Sequence, residues 1–195
     1  APNPNHPEPG GLKLIFKIVP AAENRALLLE RGDVDMALAV PERLMSRLDG
    51  KAGIRVLARP GLYVDNVTIN NAMPPFDNPK VRQALSYAVP YERIIKEVYY
   101  GYAEGAYGPV MKGLPGHDAD AWIYNEDLDK ARSLLAEAGH PNGFDTEINI
   151  SDSLPRWAPI AQLLQENFAK VGINARIQSQ TLSALSEKLF ARSMP

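Results

Sequence analysis

Two prolines, Pro79 and Pro90, fix the local architecture at the middle of this 195-residue chain. Asn78 can accept hydrogen bonds from the free amides of a first helical turn, and Pro79 suits the first helical position, where its missing N–H is no loss. Val81, Ala84, Leu85 and Ala88 then recur at helical spacing and form one apolar face. Pro90 cannot lie inside that helix without losing a backbone bond and clashing with the preceding turn. It therefore starts a second helix, running through Ile94, Ile95 and Val98 to Gly101, a residue suited to the left-handed position after a helix end.

Around this pair the pattern alternates between period two and period 3.6. Residues 12–19 read as a strand, with Leu14, Phe16 and Ile18 alternating against Lys13, Ile15 and Lys17 and Pro20 closing it. Residues 23–31 read as a helix burying Ala26, Leu27 and Leu28 and stopping at Gly32, and residues 34–40 as a strand covered on both faces. Strand, helix and strand in that order predict a crossover unit with parallel pairing. A short helix from Pro41 through Leu48 and a strand over 54–58 follow, and residues 61–71 form an extended segment ending in two asparagines. Residues 102–121 hold too many glycines, prolines and aromatics for a helix or a central strand and are expected to be a long functional or packing loop.

Beyond the loop, Asn125 or Asp127 can cap a helix to Ala138 that turns Leu128, Ala131, Leu134 and Leu135 inward and stops at Gly139. A strand over 146–150, a helix over 159–171 ended by Gly172, a strand over 173–178 and an amphipathic helix over 182–190 complete the chain. The helix over 159–171 buries Ile160, Leu163, Leu164 and Phe168. Alternation of this kind places the chain in the α/β class. Ala1 to Gly11, with four prolines and two glycines and no apolar core of a secretion signal, is expected to be a mobile or artificial leader.

Composition excludes several function classes. A net charge of −2 supplies no basic field for nucleic acid, and no run of eighteen apolar residues is present to span a membrane. The chain has no cysteine, so disulfides, thiolate zinc and thiol catalysis are out of reach. Its three histidines, His6, His117 and His140, have no second ligand at metal-helix spacing, so neither a metal nor a cofactor is expected. Asp33 and Asp35 would point to opposite faces of a strand and read as a helix-to-strand corner rather than a catalytic pair. Gly-x-Ser-x-Gly and Gly-rich phosphate motifs are absent, so no enzyme reading has an anchor.

The block Pro75-Phe76-Asp77-Asn78-Pro79-Lys80-Val81-Arg82-Gln83-Ala84-Leu85-Ser86-Tyr87-Ala88-Val89, followed by Ile94-Ile95 and by Tyr100-Gly101-Tyr102-Ala103-Glu104-Gly105, resembles a signature of the family 5 extracellular solute-binding proteins. Those are the peptide- and nickel-type receptors of bacterial ABC importers. Leu27-Leu28-Leu29-Glu30-Arg31-Gly32-Asp33-Val34-Asp35-Met36-Ala37 upstream and Asp129-Lys130-Ala131-Arg132-Ser133-Leu134-Leu135-Ala136-Glu137-Ala138-Gly139 downstream agree in order and spacing, so the likeness spans roughly Leu14 to Ile177. The resemblance implies a two-lobed α/β fold of the periplasmic-binding-protein type (class II), present here as a central fragment. It divides the chain into the leader, a last crossover unit of lobe one over 12–70, and most of lobe two over 71–195. Two departures stand out. Pro90 occupies a place where relatives usually carry aspartate, and the chain stops at Pro195, before a Trp-x-x-Asp-like segment of relatives.

The same resemblance implies capture of a peptide or peptide-like solute between two lobes and its delivery to an inner-membrane ABC permease. The intact receptor would be a monomer in the periplasm, or lipid-anchored outside a Gram-positive cell. Nickel-chelate and opine-type solutes are the alternatives, with a metal-handling enzyme behind them. Five residues are candidates for ligand contact. Arg156 and Trp157 lie between a strand and a helix, where open α/β sheets collect ligands; Arg156 offers a planar fork for a carboxylate and Trp157 a flat apolar surface. The corresponding loop of dipeptide-binding relatives carries a carboxylate-gripping arginine, while the bland alternative pairs Arg156 with Asp152 at the surface. Tyr63, on the segment leading into the implied crossing between lobes, and Tyr107, with Trp122 behind it in the long loop, are candidate aromatic walls. Asn70 could bond a ligand backbone or simply tie down the crossing segment.

Overall fold

The computed structural model describes residues 13–195, apart from residues 60, 62, 107 and 109 and the side chain of Ala119. The expected leader, Leu12 and the candidate Tyr107 therefore lie outside the described residues. The chain divides into two compact units, the first ending at Val56 and the second beginning at Leu57.

The first unit is built on two helices, α1 (Ala22–Arg31) and α2 (Glu42–Leu48). Gly32, at φ 74°, closes α1 in the left-handed conformation that lets the Asp33 amide reach back 2.9 Å to the Leu28 carbonyl. Ala26, Leu44 and Leu48 are fully or nearly fully buried, with Ala22, Leu29, Val40, Ile54 and Val56 against them. The helix turns Leu29 inward and leaves Leu27 exposed, one step off the expected face. The strands expected over 12–19, 34–40 and 54–58 do not form. Among the described residues these segments belong to no ladder, and Leu14, Phe16, Ile18, Met36, Leu38 and Leu57 are exposed. A strand exists only through a neighbour's backbone groups, and an alternating sequence cannot supply that neighbour. The Arg25 guanidinium instead anchors two of the segments, donating to the carbonyls of Val19, Pro20 and Ala39 at 2.7–2.8 Å.

In the second unit the local signals are realised closely. α3 spans Pro79–Tyr87, and the Asn78 side chain accepts from the Lys80 amide at 3.0 Å. The helix after Pro90 begins as one turn, α4 (Tyr91–Arg93), and then widens into a π-helical turn over Ile94–Val98, where the Tyr99 amide donates to the Ile94 carbonyl at 3.2 Å. Among the described residues of 102–121 there is one short 3₁₀ turn, Ala119–Ala121. Asp127 is the cap that α5 (Leu128–Glu137) uses, accepting from the Lys130 amide at 2.8 Å. β1 (Asp145–Ser151), α6 (Trp157–Lys170) and β2 (Asn174–Gln180) make a crossover with the strands paired in parallel, Asp145 opposite Asn174 and Ser151 opposite Gln180. α7 covers Leu182–Phe190, with Thr181 capping it.

One core joins these elements. Phe76, Val81, Ala84, Leu85 and Ala88 meet Ala131, Leu134 and Leu135 of α5, Leu164 and Phe168 of α6, and Val171, Ile173 and Ala175, with Ile69 packed alongside. Burial of apolar area on this scale is what offsets chain entropy in a small body. Asn167, fully buried, is satisfied throughout: its amide donates to the Ala88 carbonyl and to Glu126 Oε1, and its oxygen accepts from Lys170 Nζ. Gly143 and Gly172 touch backbone to backbone, so closely that a Cβ on Gly143 would lie 2.0 Å from the Gly172 carbonyl oxygen.

Candidate functional site

Segment 63–70 of the second unit has no ladder of its own and is fixed by side chains. Ile69 packs on the core, and the Asn70 amide donates to the Arg192 and Met194 carbonyls while its oxygen accepts from the Ala72 amide. Asp65 makes the most connected contact of the segment. Its Oδ2 accepts from Arg156 Nε at 2.8 Å and from the Tyr99 hydroxyl, and its Oδ1 accepts from the Trp157 indole N–H at 2.9 Å. The Arg156 guanidinium carbon lies 5.1 Å from the centre of the Tyr63 ring, within cation–π range.

Each partner is delivered by its element. β1 ends at Ser151, whose hydroxyl accepts from the Ser153 amide, and Asp152 extends the ladder by donating to the Gln180 carbonyl. The short turn that follows puts Arg156 at the helix entrance and makes Trp157 the first residue of α6, two places earlier than expected. That helix has no acidic residue in its own first turn and no side-chain cap, so the Asp65 carboxylate supplies negative charge beside its positive end. The π-helical turn carries Tyr99 into reach of Asp65, and a two-pronged ion pair holds it to α6, Arg93 Nη1 and Nη2 each lying 3.1 Å from a Glu166 oxygen.

The electrostatics follow from partial burial. Burial pushes the Asp65 carboxyl up, but the bonds from Tyr99, Trp157 and Arg156 outweigh it and leave the group below the ordinary carboxylate range. Burial and the adjacent carboxylate push the Tyr99 hydroxyl well up, so it stays a donor. Burial works against the Arg156 charge, and the bond to Asp65 more than restores it. The Arg156 side chain keeps 28% of its exposure against 16% for Asp65, and among the described residues no other carboxylate pairs with the guanidinium.

Of the residues singled out in the sequence, the structure brings together Arg156, Trp157 and Tyr63. Asn70 lies on the same segment with its amide occupied by chain carbonyls, and Trp122 packs edge-on against Tyr91 and Tyr124. The carboxylate beside Arg156 is Asp65 and not Asp152, which accepts from Ser153. Asp65 and Tyr99 had no local signature. The one hint was a lone acid in an extended run, Tyr63-Val64-Asp65-Asn66-Val67. His117 bonds the Val110 carbonyl and His140 packs against Phe144; among the described residues no group of three potential metal ligands occurs. A cavity of about 200 Å³ beside Asp145, Thr146, Glu147 and Arg176 lies at the opposite, amino ends of the strands.

The profile of the bacterial extracellular solute-binding proteins, family 5 Middle, matches residues 7–193. The chain belongs to this family. Among curated family 5 relatives, heme-binding protein A of Haemophilus influenzae is 35% identical over 165 residues, 83% of this chain and 30% of that protein. Glutathione-binding protein GsiB of Escherichia coli K12 is 35% identical over 161 residues, 81% of this chain and 31% of that protein. The solved structure of HbpA2 from Haemophilus parasuis superposes with a TM-score of 0.80 at 30% identity, covering 92% of this chain and 36% of that one. The chain thus spans about a third of the length of these family 5 proteins, and its α/β architecture is that of periplasmic binding proteins.

Proposed function

We propose that the chain is the central portion of the substrate-binding component of an ABC importer, one that captures a peptide or peptide-like solute between two lobes and delivers it to the permease. Residues 12–70 would belong to lobe one and 71–195 to lobe two. The unpaired segments around α1 and α2 would then find their ladder partners elsewhere in the intact receptor, a monomer of the periplasm or of the outer face of a Gram-positive membrane. Arg156 carries this reading: a guanidinium stacked on an exposed tyrosine, beside an indole, at the carboxyl end of a parallel strand, suits a ligand's terminal carboxylate. Tyr63 and Trp157 would wall the site, and Tyr107 is a further candidate; Asn70 would hold the segment in place. GsiB's name supports a peptide-like solute, since glutathione is a tripeptide with free carboxylates.

Closure on a ligand draws its free energy from contacts made only when both lobes engage. The 195-residue chain by itself is therefore expected to bind peptides weakly or not at all, and micromolar binding of a peptide to it in calorimetry would contradict the proposal. In the intact receptor, mass spectrometry of copurifying solutes should find a peptide-like species, and Arg156→Ala should release it. Retention of the same solute by that variant would remove Arg156 from the site.

A further inference from the structure

We infer that Asp65 is the positioning residue for Arg156, fixing the guanidinium by its Nε edge so that its terminal nitrogens form a preset, charge-compensated fork for a monoanionic carboxylate. The inference rests on the reading of Arg156 as a ligand contact and specifies how that contact is made selective.

A guanidinium offers a side edge through Nε and an end edge through its two terminal nitrogens. Asp65 engages only the side edge, with one oxygen, because its other oxygen is committed to the Trp157 indole N–H. The Tyr99 hydroxyl bonds the same oxygen that Arg156 holds, so the carboxylate is fixed from three directions and cannot swing round to the end edge. Tyr63 covers one face of the guanidinium. The side edge and one face of the guanidinium are thus held, and the end edge is left with no carboxylate of this chain among the described residues. Preorganisation of this kind lowers the entropy that a ligand must overcome to be gripped by two parallel bonds.

Charge follows the same logic. Asp65 already neutralises Arg156, so an incoming carboxylate leaves the cluster with one net negative charge. A phosphate dianion would leave two, with the second facing Asp65 across the guanidinium. Asp65 thus favours carboxylate over phosphate, and without it Arg156 would be a stronger but less discriminating anion site.

The test uses the 195-residue chain with sodium acetate and inorganic phosphate as probes at constant ionic strength, read by NMR at the Arg156 Nε–H and the Trp157 indole N–H. Acetate should shift both signals more readily than phosphate in the unaltered chain. In Asp65→Asn the acetate-to-phosphate preference should fall by roughly tenfold, chiefly because the phosphate midpoint drops once the neighbouring negative charge is gone. Asp65→Glu should recover part of the preference, and Tyr99→Phe, which removes one hold on the carboxylate, should lose part of it with the fold intact. A purely structural Asp65 would lower thermal stability without changing the acetate-to-phosphate ratio. An unchanged ratio in both Asp65→Asn and Tyr99→Phe overturns the positioning role and leaves Arg156 as a ligand contact. No response of Arg156 to either anion, in the unaltered chain and in the intact receptor alike, overturns the role of Arg156 as well.

Discussion

The two units carry the same kind of sequence and reach different ends. Around α1 the chain alternates strand-like and helix-like stretches just as it does around α6, yet among the described residues only the second unit closes a parallel ladder. The second unit buries a continuous core drawn from three helices and a strand, whereas the first buries Ala26, Leu44 and Leu48 and leaves Phe16 and Ile18 exposed by 76% and 92%. Patterning makes a segment fit for a sheet, and the sheet then depends on a partner at the right register. β1 finds that partner in β2, 29 residues on at Asp145 opposite Asn174.

Truncation of the core should separate the units most. Phe168→Ala removes a ring at the meeting point of α6 with α3 and α5 and is expected to destabilise the second unit by about 3–5 kcal/mol. Leu44→Ala, in a cluster that can collapse around the gap, should sit nearer about 2 kcal/mol. Urea unfolding followed at Trp157 should register the first change and leave the second nearly silent. A large response of Trp157 to Leu44→Ala would mean that the units unfold as one.

A second contrast uses two glycines of like conformation. Gly32 and Gly143 have φ near 74° and 75°, but a Cβ on Gly32 meets nothing within 4 Å whereas one on Gly143 strikes the Gly172 carbonyl. Gly143→Ala is therefore expected to lose about 2–4 kcal/mol, backbone displacement included, and Gly32→Ala only about 1 kcal/mol from the left-handed φ. Equal losses in thermal denaturation would show that the contact between the two glycine loops yields freely.

A comparably small effect is the most specific. Because the folded Asp65 carboxyl titrates below its unfolded value, its stabilisation is complete above the unfolded value, about pH 4, and fades as pH falls through the lower folded value. Asp65→Asn should thus be less stable than the unaltered chain by roughly 1–2 kcal/mol at pH 7, and the gap should close progressively below about pH 4. A gap that persists undiminished at pH 2 would place its origin in packing rather than in the carboxylate.

Helix ends were legible because their chemistry is local. Asn78 with Pro79, Gly139, Gly172 and the span 182–190 could be placed from neighbours within four residues, since helix hydrogen bonds close over that distance, whereas the cap of α5 was narrowed to Asn125 or Asp127 and the fold uses Asp127. The widening of the helix after Pro90 escaped, because a π-helical turn is held by what it touches, here Asp65 and Glu166. Arg156, Trp157 and Tyr63 could be proposed from residue type and place between elements, but the carboxylate that joins them could not. Asp65 and Arg156 lie 91 residues apart, and Asp152, four residues away, was the nearer partner by sequence. The amino-acid order settled where helices begin and stop and which family the chain resembles. Which extended segments became strands, and which acid met Arg156, was decided by the folded arrangement, because ladders and ion pairs form between surfaces that only packing brings within 3 Å.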